Sequence, residues 1–185
     1  MKTTSLIDEI LRYGIQKNES IVHFGAGYKS GYFLSDFYQN AFLDKNLDLK
    51  YTGVEVDSLR LDTTKEILKT IEGGDAISLI QTSMQDFIVD NNNQYDWALI
   101  TGIFDKNVYG DTQFNFIHSV INEMFNFVDD GVIFTYNSSE YQEENYNIHY
   151  MNAYIQNNYS RYSIVRINEN EYIYIIHKYF TSYTN

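Results

Sequence analysis

The stretch that decides the fold is Ile21-Val22-His23-Phe24-Gly25-Ala26-Gly27-Tyr28-Lys29-Ser30-Gly31. Ser20 to Phe24 reads as a short buried strand that runs into a glycine-bearing turn. A helix follows, with Phe33, Phe37 and Ala41 on one row and Leu34, Tyr38 and Phe42 on the next, each at spacings of four. A strand–turn–helix unit brings backbone N–H groups and the positive end of a helix dipole to one point. Gly25 and Gly27 permit close approach of a ligand there. The order Lys29-Ser30-Gly31 is not that of a P-loop, and G-x-G-x-x-x-G is not the G-x-G-x-x-G of dinucleotide folds. By itself the turn admits two readings, a ligand cradle and a purely structural turn.

The next acidic residue of interest is Glu55, in Gly53-Val54-Glu55-Val56-Asp57 at the end of a second predicted strand, Lys50 to Val56. A carboxylate at that place accepts both hydroxyls of an adenosine ribose. The competing reading is a cap for the following helix, a role that suits Asp57 better. Loop and acid together favour an adenosine-containing ligand.

Outward from this unit the chain alternates. Thr4 or Ser5 caps a first helix with Leu6, Ile7, Ile10 and Leu11 on its apolar side, ending near Gly14. After the second strand, Ser58 opens a helix carrying Ile67, Leu68 and Ile71 that Gly73-Gly74 stops. Ile77 to Gln81 and Tyr95 to Thr101 read as the third and fourth strands. Phe114 to Val128 is the clearest helix, with Phe114, Ile117, Ile121, Met124, Phe125 and Val128 on one stripe. Asp129-Asp130-Gly131 reads as a turn, Val132 to Tyr136 as a fifth strand, and Asn145 to Tyr159 as a helix. Tyr162 to Ile167 and Tyr172 to Tyr179 read as strands joined by Asn168-Glu169-Asn170, hence antiparallel to each other. Alternating strands and helices imply an α/β fold, a three-layer sandwich over a mostly parallel sheet. The hairpin forces one strand to run against the rest.

Composition bounds the function. The 185 residues suffice for a single domain, 1–185, with a real core. The formal charge is −12 and the basic residues are scattered, which opposes broad contact with nucleic acid or with an anionic membrane. Met1 to Ile10 meets Asp8 and Glu9 too early for a signal peptide, and no apolar run spans a bilayer, so a soluble cytoplasmic protein is expected. Cysteine and proline are both absent. The first absence excludes disulfides, thiolate metal sites and a cysteine nucleophile. The four histidines stand far apart with no metal-ligand spacing, so no metal is expected.

Over nearly its whole length the sequence resembles class I S-adenosylmethionine-dependent methyltransferases, in a branch of small bacterial and phage-like members. Ile21 to Gly27 is similar to their first motif and Tyr51-Thr52-Gly53-Val54-Glu55-Val56 to their second strand. Gln81-Thr82-Ser83-Met84-Gln85-Asp86 falls where the adenine is flanked, and Tyr95 to Asp105 resembles the fourth-strand motif. The resemblance implies a Rossmann-like sandwich with a seven-strand sheet ending in an antiparallel hairpin. It implies S-adenosyl-L-methionine as cofactor and S-adenosyl-L-homocysteine as product. The implied cofactor residues are His23, Phe24, Gly25, Ala26, Gly27, Ser30, Glu55, Val56, Ser83, Met84, Thr101, Gly102 and Phe104. Asp105 and Tyr109 are the candidates to orient or deprotonate an acceptor.

Within that frame the two absences do more. Without proline there is no Asp/Asn-Pro-Pro-Tyr motif of amino-group DNA and protein-glutamine enzymes, and without cysteine no cytosine-C5 mechanism. A small-molecule acceptor, metal-independent chemistry and no nucleic-acid partner are the expectation. The family usually has acidic residues where His23 and Ser83 stand and often a glycine where Lys29 stands. These departures motivate the alternative of a non-catalytic cofactor-binding module. A nicotinamide dinucleotide domain is the third reading, which the terminal hairpin does not suit. His118 and His149 read as structural histidines more readily than catalytic ones, and Glu140, Glu143 and Glu144 as a solvated loop.

Overall fold

A computed structural model of the chain describes residues 8, 10–11, 15–27, 37, 47–71, 74, 77–91, 94–104, 113–137, 148–167 and 169–178. Among them the strands are β1 Ser20–Phe24, β2 Lys50–Glu55, β3 Ser78–Gln81, β4 Tyr95–Ile100, β5 Val128–Asn137, β6 Tyr162–Arg166 and β7 Glu171–His177. The helices are α1 Ser58–Leu68, α2 Met84–Asp90, α3 Gln113–Phe127 and α4 Ile148–Asn158. All seven strands form one sheet in the order β3-β2-β1-β4-β5-β7-β6. Strands β1 to β5 pair in parallel, and β7 runs antiparallel to both β5 and β6. The predicted hairpin is therefore present, with its second strand slotted between the first strand and the parallel sheet. The dinucleotide-binding order 3-2-1-4-5-6 lacks that inserted strand.

Period-two alternation builds the two faces of the sheet. Val22, Phe24, Ala98, Ile100, Val132 and Phe134 face α2, α3 and α4. Ile21, Trp97, Leu99, Ile133, Ile173 and Ile175 face a second layer that includes Ile10, Phe37 and Leu68. The helices earn their places by the same logic. Helix α3 buries Phe114, Ile117, Val120, Ile121 and Met124 at intervals of three and four, and α4 buries Met151 and Ile155. Asp57 caps α1, accepting from Leu59 N and Arg60 N at 3.0 and 3.2 Å.

Three readings of the sequence need correction. Asp129-Asp130-Gly131 is no turn. Strand β5 begins at Val128, directly after α3, and Gly131 pairs with Trp97 on one side and His177 on the other. A bare glycine is required there because a Cβ would strike the Trp97 ring and the Ile176 carbonyl. The stretch from Met84 is a helix, α2, which the sequence reading did not assign; only Met84 and Phe87 are buried, too few to give a period. Strand β4 stops at Ile100, leaving Thr101 as the first residue beyond it. The first helix and the one expected after Gly31 fall largely outside the described residues, as do Gly73 and Asn145.

The chain leaves β1 for β2 on one side, and after β3 returns to β4 on the other. The crevice at the carboxyl ends of β2, β1 and β4 is thus the switch point of the sheet, where ligands of open α/β folds bind. No helix among the described residues is long and apolar enough to cross a membrane.

Candidate functional site

Four segments meet at that crevice: the turn after β1, the end of β2, the turn before α2 and the residues after β4. The turn is built by close backbone approach. Gly25 has φ +80° and lies against the Thr101 carbonyl, which a Cβ would overlap. Gly25 N and Ala26 N both donate to Val54 O, at 3.0 and 3.2 Å. Both amides are thus used in tying β1 to β2. Thr64 Oγ1 donates to Ala26 O at 3.1 Å, and α1 is thereby fastened under the turn.

Glu55 ends β2 and is 7% exposed. Its Oε1 accepts the Asp57 N–H at 3.0 Å, which fixes the carboxylate on the turn into α1. Its Oε2 stands over Gly27, where any Cβ would collide with it and with Arg60 Cβ. Val56 and Leu59, close by in sequence, are 66% and 75% exposed. Ser83 caps α2, accepting from Asp86 N at 3.0 Å and donating to Asp86 Oδ2 at 2.7 Å. Met84 packs into the core behind it.

After β4, Thr101 N donates to Phe24 O at 3.2 Å, and Gly102 N donates to Thr135 Oγ1 at 3.3 Å. Gly102 has φ +71° and open space where a Cβ would be. Phe104 is a core residue. Its ring is fully buried against Phe134 and Phe116, with centroids 5.5 and 6.2 Å away. Phe24 is likewise a core side chain, against Phe87.

His23 lies in the interior. Its Nε2 is 2.6 Å from Thr101 Oγ1 and its Nδ1 is 2.5 Å from the Tyr51 hydroxyl. Burial pushes the imidazole pKa down to about 3 and raises that of Tyr51. His23 is therefore neutral at pH 7.

The structure brings Gly25, Ala26, Gly27, Glu55, Val56, Ser83, Thr101 and Gly102 to one crevice. Ser30, Asp105 and Tyr109 lie outside the described residues, as do Lys29 and the three glutamates at 140, 143 and 144. His149 is exposed on α4. His118 lies on α3. It stacks on Tyr154 with centroids 3.4 Å apart, its Nε2 is buried with no hydrogen-bond partner among the described residues, and burial pushes its pKa down to about 4. Sequence reasoning missed Tyr51 and Thr135. Both reveal themselves only through register, which places Tyr51 opposite Ile21 and within reach of His23. Among the described residues no group of three or more His, Asp or Glu could hold a metal.

Comparison with solved structures settles the fold. M. capricolum TrmK, in complex with S-adenosylhomocysteine, superposes with a TM-score of 0.60 at 14% identity, covering 94% of this chain and 67% of that one. A methyltransferase from Pyrococcus furiosus gives 0.63 at 13% identity, covering 96% and 83%. The RNA methyltransferase from Salinibacter ruber, also with S-adenosylhomocysteine, gives 0.57 at 10% identity, covering 94% and 90%.

This is the class I S-adenosylmethionine-dependent methyltransferase fold. The Rossmann-like sheet with its antiparallel end matches the expectation from the sequence. No protein-family model matches the chain, and neither does any protein of curated function.

Proposed function

We propose that the chain is a single unit that binds S-adenosylmethionine across the ends of β2, β1 and β4 and transfers its methyl group to a small-molecule acceptor. The observation that carries this reading is the Glu55 carboxylate, held by Asp57 N–H and set over a glycine that leaves it room. A fixed acceptor pair at the end of the second strand suits the two hydroxyls of a ribose. Val56 and Leu59 offer exposed apolar surface for an adenine, with Ser83 at its far rim and Met84 in the core behind. Thr101 and Gly102 lie at the other end of the crevice, where the methionine portion would extend.

When bound, S-adenosylmethionine supplies an electrophilic methyl on a cationic sulfonium. The residues of the chain contribute position above all, since in-line attack needs the acceptor held near the methyl. The open space at Gly102 leaves room for an acceptor. Asp105 and Tyr109, in the segment between β4 and α3, are the candidates to accept a proton from it. Phe104 serves from the core, shaping the wall rather than touching ligand.

Charge bears on the acceptor class. A net −12 opposes a polyanionic acceptor. The competing reading, a nucleic-acid acceptor, draws on the fold shared with the Salinibacter RNA methyltransferase. A non-catalytic module is the alternative carried by His23 and Ser83. Melting with S-adenosylmethionine, S-adenosylhomocysteine and NAD separates these. A ligand at 100 times its Kd adds about 2.7 kcal/mol. A shift with both adenosyl ligands, none with NAD, and loss of the shift in Glu55→Ala are expected. Labelled methyl groups then distinguish a small-metabolite pool from an RNA pool. No shift with any adenosyl ligand overturns the reading.

A further inference from the structure

Strand β6 closes one side of the sheet, and no strand among the described residues pairs with its outer edge. Its register with β7 says which main-chain groups that edge carries. Tyr162 stands opposite Ile176 and Arg166 opposite Tyr172. Ile167 N donates to Glu171 O at 2.8 Å, and His177 N donates to Arg161 O at 3.1 Å. Residues 161 and 167 thus belong to hydrogen-bonded pairs, and in an antiparallel ladder such pairs recur at every second residue. Ser163 and Val165 therefore turn their N–H and C=O groups toward β7. Tyr162, Ile164 and Arg166 turn theirs outward.

This edge lacks the usual protections. Open edges are ordinarily blunted by a proline, a bulge or charged side chains. The chain has no proline. The pairing of β6 with β7 runs unbroken from Tyr162 to Arg166, and the one charged residue of the strand, Arg166, stands at its end. Ile173 to Ile176 of β7 are wholly buried, whereas no residue of β6 is, although the strand carries Ile164 and Val165.

Charge selects the partner. Each copy carries −12, which opposes self-association wherever acidic surfaces meet. No Asp or Glu occurs between Glu144 and Glu169, a stretch that contains all of α4 and β6. Helix α4 has no Asp, Glu, Lys or Arg, yet exposes Tyr150, Ala153, Gln156 and Asn157. It packs on the same face of the sheet as Tyr162 and Ile164. Depletion of charge and enrichment in tyrosine are the composition of an interface.

We propose that two copies of the chain join through β6, antiparallel about a two-fold axis at Ile164, so that their sheets become one. In this register Ile164 faces Ile164 of the second copy, and Tyr162 faces Arg166 of the second copy. Three hydrogen-bonded pairs result, each exchanging two bonds, about six in all. Moving the axis toward either end of β6 leaves fewer pairs, and an axis at Arg166 sets like charges face to face. Such an interface is isologous and closes at two copies. It is independent of the adenosyl reading. Strands β5 and β7 separate β6 from the crevice at β2, β1 and β4, which stays open in both copies.

The test uses the full chain. At about 0.1 mM it should sediment at twice its monomer mass, since a Kd of about 10 μM or tighter keeps most of it paired. Ile164→Pro removes an outward N–H and leaves the bonds to β7 in place, a change that edge strands tolerate. It should sediment as a monomer with unchanged far-ultraviolet circular dichroism. Because the chain has no cysteine, a single introduced one reports without ambiguity. Across the axis the two Cα atoms at position 164 lie about 5.5 Å apart, within disulfide reach. Ile164→Cys should therefore form a cross-linked dimer on mild oxidation. Val89→Cys, at an 80% exposed position on α2, should not. If Ile164→Pro does not fold, the two cysteine variants decide. A dimer that survives Ile164→Pro undiminished, or that Ile164→Cys cross-links no faster than Val89→Cys, overturns the proposal. So does a monomer at this concentration, which would give the edge to another part of the chain or to a different protein.

Discussion

The Glu55 carboxylate and Gly27 occupy adjoining space at the switch point of the sheet: Oε2 lies where a side chain on residue 27 would begin. Residue 27 has no unusual φ, so the glycine is needed for room and not for conformation. Gly27→Ala therefore drives the carboxylate from its place and breaks its alignment with Asp57 N–H. Melting in the absence of ligand should fall by a few degrees, while the stabilisation by S-adenosylhomocysteine disappears. A variant that keeps the full ligand shift would remove Glu55 from the ribose site.

The buried imidazole of His23 makes the fold sensitive to acid. Its folded pKa of about 3 lies below the ordinary 6.5 of the unfolded chain. The unfolded chain thus binds a proton first, so the stabilisation is complete above pH 6.5 and drains away as the pH falls toward 3. The slope approaches about 1.4 kcal/mol per pH unit within that window. Urea unfolding between pH 7 and pH 4 should show the loss. In His23→Gln the titrating group is gone, and the stability curve should be flatter there whatever its absolute height. An equal slope in both proteins would assign the acid sensitivity elsewhere.

How much of this was legible beforehand follows from what each feature depends on. Strands β1, β4 and β6 were visible to within a residue or so because each is a short β-branched or aromatic run bounded by polar residues. The glycine turn and Glu55 were visible because they sit on local strand ends. The pair His23 and Tyr51 was not, since their meeting requires the parallel register that sets Tyr51 against Ile21. Asp129 and Asp130 looked like a turn because both are polar and precede a glycine, yet the backbone continues as strand. Gly131, which looked like the end of that turn, is a packing site for Trp97. Local composition marks the polar residues; only the neighbouring strand explains the glycine.

Asp130 lies at the opposite end of the strands, near Asp96, Asp129 and Glu19. Partial burial, and then the charges of Asp96 and Asp129, raise its pKa from the ordinary 3.8; burial likewise raises that of Glu19. A carboxyl raised in the fold is destabilising while ionised. The penalty is present at pH 7 and is relieved as the pH falls through the folded pKa, opposite in sign to His23. Asp130→Asn should raise the melting temperature at pH 7 by about 1–2 °C, the scale of a surface-charge change. The gain should vanish below the ordinary aspartate range. A gain that persists at pH 3 would point to packing and not to charge. Ligand binding, at the other end of the strands, should be unaffected.

The packing of Trp97 on Gly131 gives the most direct test of the core. A Cβ at residue 131 would lie 2.7 Å from Trp97 Cζ3 and overlap the Ile176 carbonyl, which belongs to strand backbone and has nowhere to move. Overpacking of this kind costs roughly 1–3 kcal/mol. Trp97 is the sole tryptophan of the chain and its Nε1–H donates to Glu19 Oε2 at 3.0 Å, so tryptophan emission reports on the surroundings of this one ring. Gly131→Ala should lower the urea midpoint with an unchanged m value and shift the native emission as the indole is displaced. Because Gly131 lies at the start of β5, away from the crevice, the Kd for S-adenosylhomocysteine should stay within about twofold, a change too small for a lost hydrogen bond. An unaltered midpoint would mean that β5 and β7 can separate at Gly131 without cost, contrary to the continuous pairing from Gly131 to Asn137.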